Sequence, residues 1–168
     1  MALAGCGRAH LSDEDVAAAL RARRLVVPVV GVRPTDVPDG FDELRDGRRR
    51  HGAVDIPAPR GTLVVSADDG VVLAVRVSPR GGRTVYATDP DRRFVYYYAH
   101  LDRWQPSVRA GTALARGDPL GVVGSTGNAH RTGPHLHFQV MVYPPDGHWW
   151  RGRPIDPRPF FVTSLDAR

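Results

Sequence analysis

Several stretches of this chain alternate apolar and polar residues with a period of two. From 135 to 143 the sequence reads HLHFQVMVY, in which Leu136, Phe138, Val140 and Val142 alternate with His135, His137, Gln139, Met141 and Tyr143. That alternation predicts a half-buried strand with its apolar set on the core. FVYYYAHL predicts a second strand, with Phe94, Tyr96, Tyr98 and His100 on one face. Short Val-rich runs at 25–30, 62–66, 71–77, 84–88 and 120–123 predict further strands. ADDG at 67–70 and SPRGG at 78–82 read as hairpin turns between such runs. One segment has a different character. SDEDVAAALRARR begins with a capping Ser12, puts acids in the next turn and arginines at the end, so it predicts a helix matched to its own dipole. Residues 31–50 are rich in Pro, Gly, Asp and Arg and predict loops, with Phe41 and Leu44 pinning them to the body of the domain.

Composition agrees with this pattern. A chain of 168 residues suffices for one core, and 18 Gly with 15 Pro imply frequent turns. The predicted fold class is all-β, mainly antiparallel and barrel- or sandwich-like, with a short N-terminal helix. The net charge is +5 and every basic residue is arginine. This favours polyanionic polymers or anionic lipid surfaces over nucleic acid as partners. Arg48, Arg49 and Arg50 form a contiguous run suited to holding substrate carboxylates. A single cysteine, Cys6, excludes an intrachain disulfide and a cysteine zinc site.

The polar residues with the most chemistry are His51 and Asp55 in HGAVD, His100 in YYYAHL, and His135 and His137 in HLH. On a strand, His135 and His137 point to the same side, roughly 7 Å apart at about 3.4 Å per residue. One can bind a metal while the other stands beside it. Gly52, Pro57 and Pro59 disfavour a helix, and an extended reading puts His51 and Asp55 on a common side. His51, Asp55 and His137 would give a two-His, one-Asp set with a net charge of about +1 around zinc, leaving a fourth position open. Such a cation lowers the pKa of water and polarises a carbonyl. No HExxH glutamate is present, so His100 and His135 are the candidate proton carriers. The glycine-rich GVVGSTGNAHRTGP lacks the lysine of a phosphate loop and reads as a turn delivering HLH, with His130 a solvated loop position. Ser125 and Thr126 lie in no GxSxG elbow. His148, Trp149 and Trp150 could rim a cleft or cover the core.

Four motifs in order, HGAVDIPAPRGTLVVSADDGVV, YYYAHL, GDPLGVVGSTGNAHRTGPHLHF and PIDPRPFF, resemble the lysostaphin/LytM-type zinc endopeptidases of bacterial cell walls. The resemblance covers about residues 26–162. It implies one Zn2+ held by His51, Asp55 and His137, with His100 and His135 assisting catalysis. It also implies cleavage of peptide cross-links in peptidoglycan and a place in the cell envelope. Gln139 departs from the pattern, standing where a Glu commonly follows HLHF. The alternative is a non-catalytic wall-binding regulator that activates a separate amidase; such relatives have usually lost zinc ligands, whereas all three are present here. Residues 1–25 form an N-terminal segment and 163–168 a tail. Leu3-Ala4-Gly5-Cys6 resembles the lipobox of bacterial lipoproteins, which implies membrane anchoring through a lipidated Cys6, although no charged and apolar signal stretch accompanies it.

Overall fold

The computed structural model describes residues 12–131 and 133–163. Cys6 and the tail beyond 163 lie outside them, as does the side chain of His130. The predicted helix, α1, spans Asp13–Arg23. Ser12 Oγ accepts the Asp15 N–H at 3.1 Å, and the Asp15 carboxylate accepts the Ser12 N–H in return. This reciprocal cap satisfies two donors that the first turn leaves free. Val16 and Leu20, one turn apart, are the helix's buried residues. At its other end Arg23 forms two hydrogen bonds to Asp68, at 2.6 and 3.0 Å, and Tyr96 donates its hydroxyl to the same carboxylate at 2.6 Å. Asp68 is almost wholly buried, so this paired charge ties the helix to the body of the domain.

Among the described residues eleven strands follow in chain order: β1 Leu44–Arg45, β2 Arg49–Arg50, β3 Val54–Pro57, β4 Leu63–Val65, β5 Gly70–Ser78 and β6 Gly82–Thr88, then β7 Phe94–Trp104, β8 Ala113–Leu114, β9 Pro119–Val123, β10 His135–Val142 and β11 Arg153–Ile155. β1 and β2 make a small hairpin of their own. The others form one sheet with the path β11-β10-β7-β6-β5-β8; β3 joins β10, and β9 joins the far end of β7 and carries β4. Neighbouring strands in it are antiparallel. The sheet folds over a core of Phe94, Tyr96, Tyr98, Ile56, Leu136 and Phe138. It is sandwich-like and open, not a closed barrel.

Four sequence expectations need correction. The run at 25–30 is not a continuous strand: it bridges Leu25 to Phe161 and Val29 to Val64 and exchanges scattered backbone hydrogen bonds with residues 63–67. Pro28, which has no N–H, interrupts any continuous ladder there. The ADDG turn joins β4 to β5, but β4 pairs with β9 and β5 with β6 and β8, so it is a crossover and not a hairpin. Its Asp68 is turned inward to meet Arg23. Leu44 is 61% exposed and pins nothing; Phe41 holds the chain instead, through its carbonyl and the Gly52 N–H at 2.9 Å. The fourth concerns His100. Arg83 pairs with Leu101 and Val85 with Tyr98, so β7 carries one extra residue between them. At this bulge His100 has φ +64° and its N–H bonds Gly81 O at 2.8 Å. The bulge breaks the alternation, taking His100 off the core face that Tyr98 occupies and onto the opposite one. The SPRGG hairpin between β5 and β6 forms as expected, with Ser78 opposite Gly82.

Candidate metal centre

Register builds the site. β10 places His137 directly opposite Asp55 of β3 on one side and Ala99 of β7 on the other. Residues directly opposite one another share a face. Leu136, Phe138 and Val140 fill the core, so His135, His137 and Gln139 emerge on the far side. His51 arrives from the turn before β3, where Gly52 has φ +65° and a Cβ would press on Pro154 at 3.2 Å. Gln139 donates its amide to Gly52 O at 2.9 Å. The residue that departs from the family pattern thus braces the turn that carries His51.

The three predicted ligands meet. Nε2 of His51 lies 3.1 Å from Oδ1 of Asp55 and 3.1 Å from Nδ1 of His137, and that Nδ1 lies 2.9 Å from the same Oδ1. A tetrahedral zinc with ligands at about 2.0–2.1 Å needs donor–donor edges of about 3.3 Å. The triangle therefore requires only a few tenths of an ångström of expansion to accept the ion. Two neutral imidazoles and one carboxylate are also the donor set zinc prefers for chemistry. Contacts to the two histidines hold the Asp55 carboxyl far below the usual carboxylate range, against a burial penalty that acts the other way. Burial pushes the His137 imidazole below its ordinary value. Both shifts leave the groups in the protonation state that a metal needs.

The two auxiliary histidines stand beside this triangle. His100 is 4.9 Å from His135 and 5.6 Å from His137 between ring centroids. His135 Nε2 is 3.8 Å from Asp55 Oδ1. Backbone carbonyls set the tautomers. Nδ1 of His51 faces Gly40 O at 2.9 Å, Nδ1 of His100 faces Thr126 O at 2.9 Å, and Nδ1 of His135 faces Gly133 O at 3.0 Å. A carbonyl can only accept, so each Nδ1 carries the hydrogen and each Nε2 presents a lone pair. Burial lowers the His100 pKa to about 4, which keeps that ring neutral near pH 7.

Sequence reasoning missed one residue. Arg45 Nη2 lies 2.6 Å from Asp55 Oδ2 and 3.2 Å from His51 Nε2, so its guanidinium rests against two of the three predicted ligands. The contiguous arginines at 48–50 are the stronger signal in the sequence. There Arg50 pairs with Asp42 at 2.9 Å, and Arg49 lines the cleft. No periodicity marks Arg45; only the β1–β2 hairpin, which sets it opposite Arg49, carries it to the site.

The centre lines a cleft of about 540 Å³ together with Arg49, Arg80, Tyr97 and Ala99. Residues 49–157 match the model of peptidase family M23. Over 106 residues the chain is 35% identical to peptidoglycan DD-endopeptidase ShyB of Vibrio cholerae, covering 63% of this chain and 22% of that protein. Over 115 residues it is 32% identical to glycyl-glycine endopeptidase ALE-1 of Staphylococcus capitis, covering 68% and 30%. The chain spans about a fifth to a third of the length of these relatives. The Helicobacter pylori Csd3 structure superposes with a TM-score of 0.64 at 30% identity, over 83% of this chain and 35% of that one. A match that takes in all three metal-site residues, both auxiliary histidines and every strand from β2 to β11 makes this chain a member of peptidase family M23.

Proposed function

We propose that this chain is a zinc-dependent endopeptidase that hydrolyses peptide cross-links of bacterial peptidoglycan, acting in the cell envelope. One observation supports the reading: the near-equilateral triangle of His51 Nε2, Asp55 Oδ1 and His137 Nδ1, within a few tenths of an ångström of the spacing of a tetrahedral zinc site. Zinc in that triangle supplies a Lewis acid for the scissile carbonyl and makes water a nucleophile at neutral pH. The chain's own residues do the rest. His100 and His135 both aim Nε2 into the cleft with Nδ1 already committed to a carbonyl. One of the pair accepts the proton of the attacking water. The imidazolium so formed donates its Nε2–H to the developing oxyanion and then passes the proton to the leaving amine, while the other ring stands beside it as a second base. The chain's +5 charge and the cleft arginines favour the anionic wall polymer. A regulator that only binds the wall has no use for a complete ligand set with two oriented bases.

Digestion of purified peptidoglycan by the zinc-loaded protein, followed by mass spectrometry with a chelator control, tests activity and names the bond together. His137→Ala should lose both zinc binding and turnover. His135→Ala should keep zinc and lose at least two orders of magnitude in rate. Normal turnover by His135→Ala would remove the mechanism.

A further inference from the structure

The segment after β10 holds a group of rings that the proposed chemistry does not use. His148 and Trp150 lie 5.1 Å apart between ring centroids, Trp150 and Trp149 5.1 Å, and Trp149 and Tyr86 4.6 Å. Tyr86 and Tyr97 are 4.3 Å apart, and Tyr97 meets His137 edge-on at 5.9 Å. The rings therefore run without a break from the exposed surface to a metal-site histidine. The sheet explains half of this. Tyr86 of β6 is directly opposite Tyr97 of β7, and Tyr97 is directly opposite Gln139 of β10, so all three stand on the face that bears His137. Gly81 makes room for the Tyr97 hydroxyl, since a Cβ there would collide with it. The turn after β10 supplies the other half by laying Trp149 over Tyr86, with the Arg76 guanidinium 5.2 Å from the indole centre.

Packing alone does not account for this shelf. Trp150 is 49% exposed, and Trp149, Tyr86 and Tyr97 are each only partly covered. None of the four belongs to the buried apolar core. Exposed aromatic rings continuous with a cleft mark a binding surface. We propose that this shelf binds sugar rings of the glycan strand to which the cleaved stem peptide is attached. The proposal rests on the hydrolase reading and extends it to how the substrate is held. Three features favour a saccharide over more peptide. The surface is built of ring faces and edges, which suit the C–H faces of a pyranose. Tyr86 and Tyr97 bring hydroxyls to those rings. Continuity fixes the position, because the shelf begins at Tyr97 in the cleft and leads away from the metal.

Two substrates separate this role from others: a cross-linked stem-peptide dimer without sugars, and the same dimer on disaccharide units. Trp150→Ala should change kcat/KM on the sugar-free dimer by less than twofold. On the glycan-bearing dimer it should lower kcat/KM about tenfold, mainly through KM. Tetra-N-acetylchitotetraose should quench the wild-type tryptophan fluorescence saturably, and Trp150→Ala should lose that response. Trp149→Phe, which keeps a ring on Tyr86, should retain binding. Equal losses on both dimers, or no loss on either together with an unaltered response to the tetrasaccharide, would overturn the shelf as a sugar site. If the wild-type protein cuts neither dimer, the hydrolase reading fails, while the fluorescence titration still decides the shelf.

Discussion

Replacing Arg45 by Gln should tighten zinc binding while destabilising the metal-free protein. Arg45 Nη2 is 2.6 Å from Asp55 Oδ2, and the two side chains are 36% and 27% exposed. Charge centres about 4 Å apart attract by about 4 kcal/mol at an effective dielectric constant of about 20. Partial exposure and salt reduce this to about 1–2 kcal/mol. In the metal-free protein that attraction offsets the cost of a half-buried carboxylate. When a cation arrives, the guanidinium must give up Asp55 and His51, and it repels the incoming charge. Its removal should therefore lower the dissociation constant for zinc roughly tenfold, the equivalent of about 1.4 kcal/mol. The same change should lower the metal-free Tm by about 2–8 °C for a domain of this size. Chelator competition at pH 7 reads the first quantity and calorimetry of metal-stripped protein the second. An unchanged or weaker zinc affinity in Arg45→Gln would mean that Arg45 supports the ligand and does not compete with the ion.

Three further outcomes follow from the same geometry. Arg23→Ala should cost about 3–5 kcal/mol in urea denaturation, because it strands the buried Asp68 carboxylate beneath Tyr96; a loss below about 1 kcal/mol would show that the helix clamp is incidental. Metal-free protein should lose stability as pH falls from 6.5 towards 4. His100 has a folded pKa of about 4 and His137 is also depressed, so the unfolded chain takes up protons that the folded protein refuses. The His100 share is on the order of 3 kcal/mol, fully present above pH 6.5, and His100→Gln should flatten the Tm-against-pH curve over that window. Gly127→Ala should destabilise the domain and slow turnover together, since Gly127 has φ +69° and a Cβ there would strike the backbone of Arg80 and Gly82 beside the His100 bulge; wild-type thermal stability in that variant would refute the close packing.

The sequence by itself determined the local elements and the identities of the chemical groups. Period-two alternation gives β10, with His135 and His137 on its outer face, because side chains in a strand can only alternate. The capping box and charge order give α1 for an equally local reason. HGAVD carries both His51 and Asp55, and those two do face one another. What crosses between distant segments was decided only in three dimensions. Alternation alone would put His100 on the core face beside Tyr98; the extra residue in β7 exists only relative to its partner β6, and no pattern within β7 announces it. Arg45 reaches Asp55 because a two-strand hairpin folds back over the cleft, and the ring path from Trp150 to His137 requires β6, β7, β10 and the following turn to lie side by side. Strand alternation fixes which way a residue faces on its own strand. Pairing, bulges and crossovers depend on contacts far apart along the chain, so only the assembled sheet sets which of those faces meet.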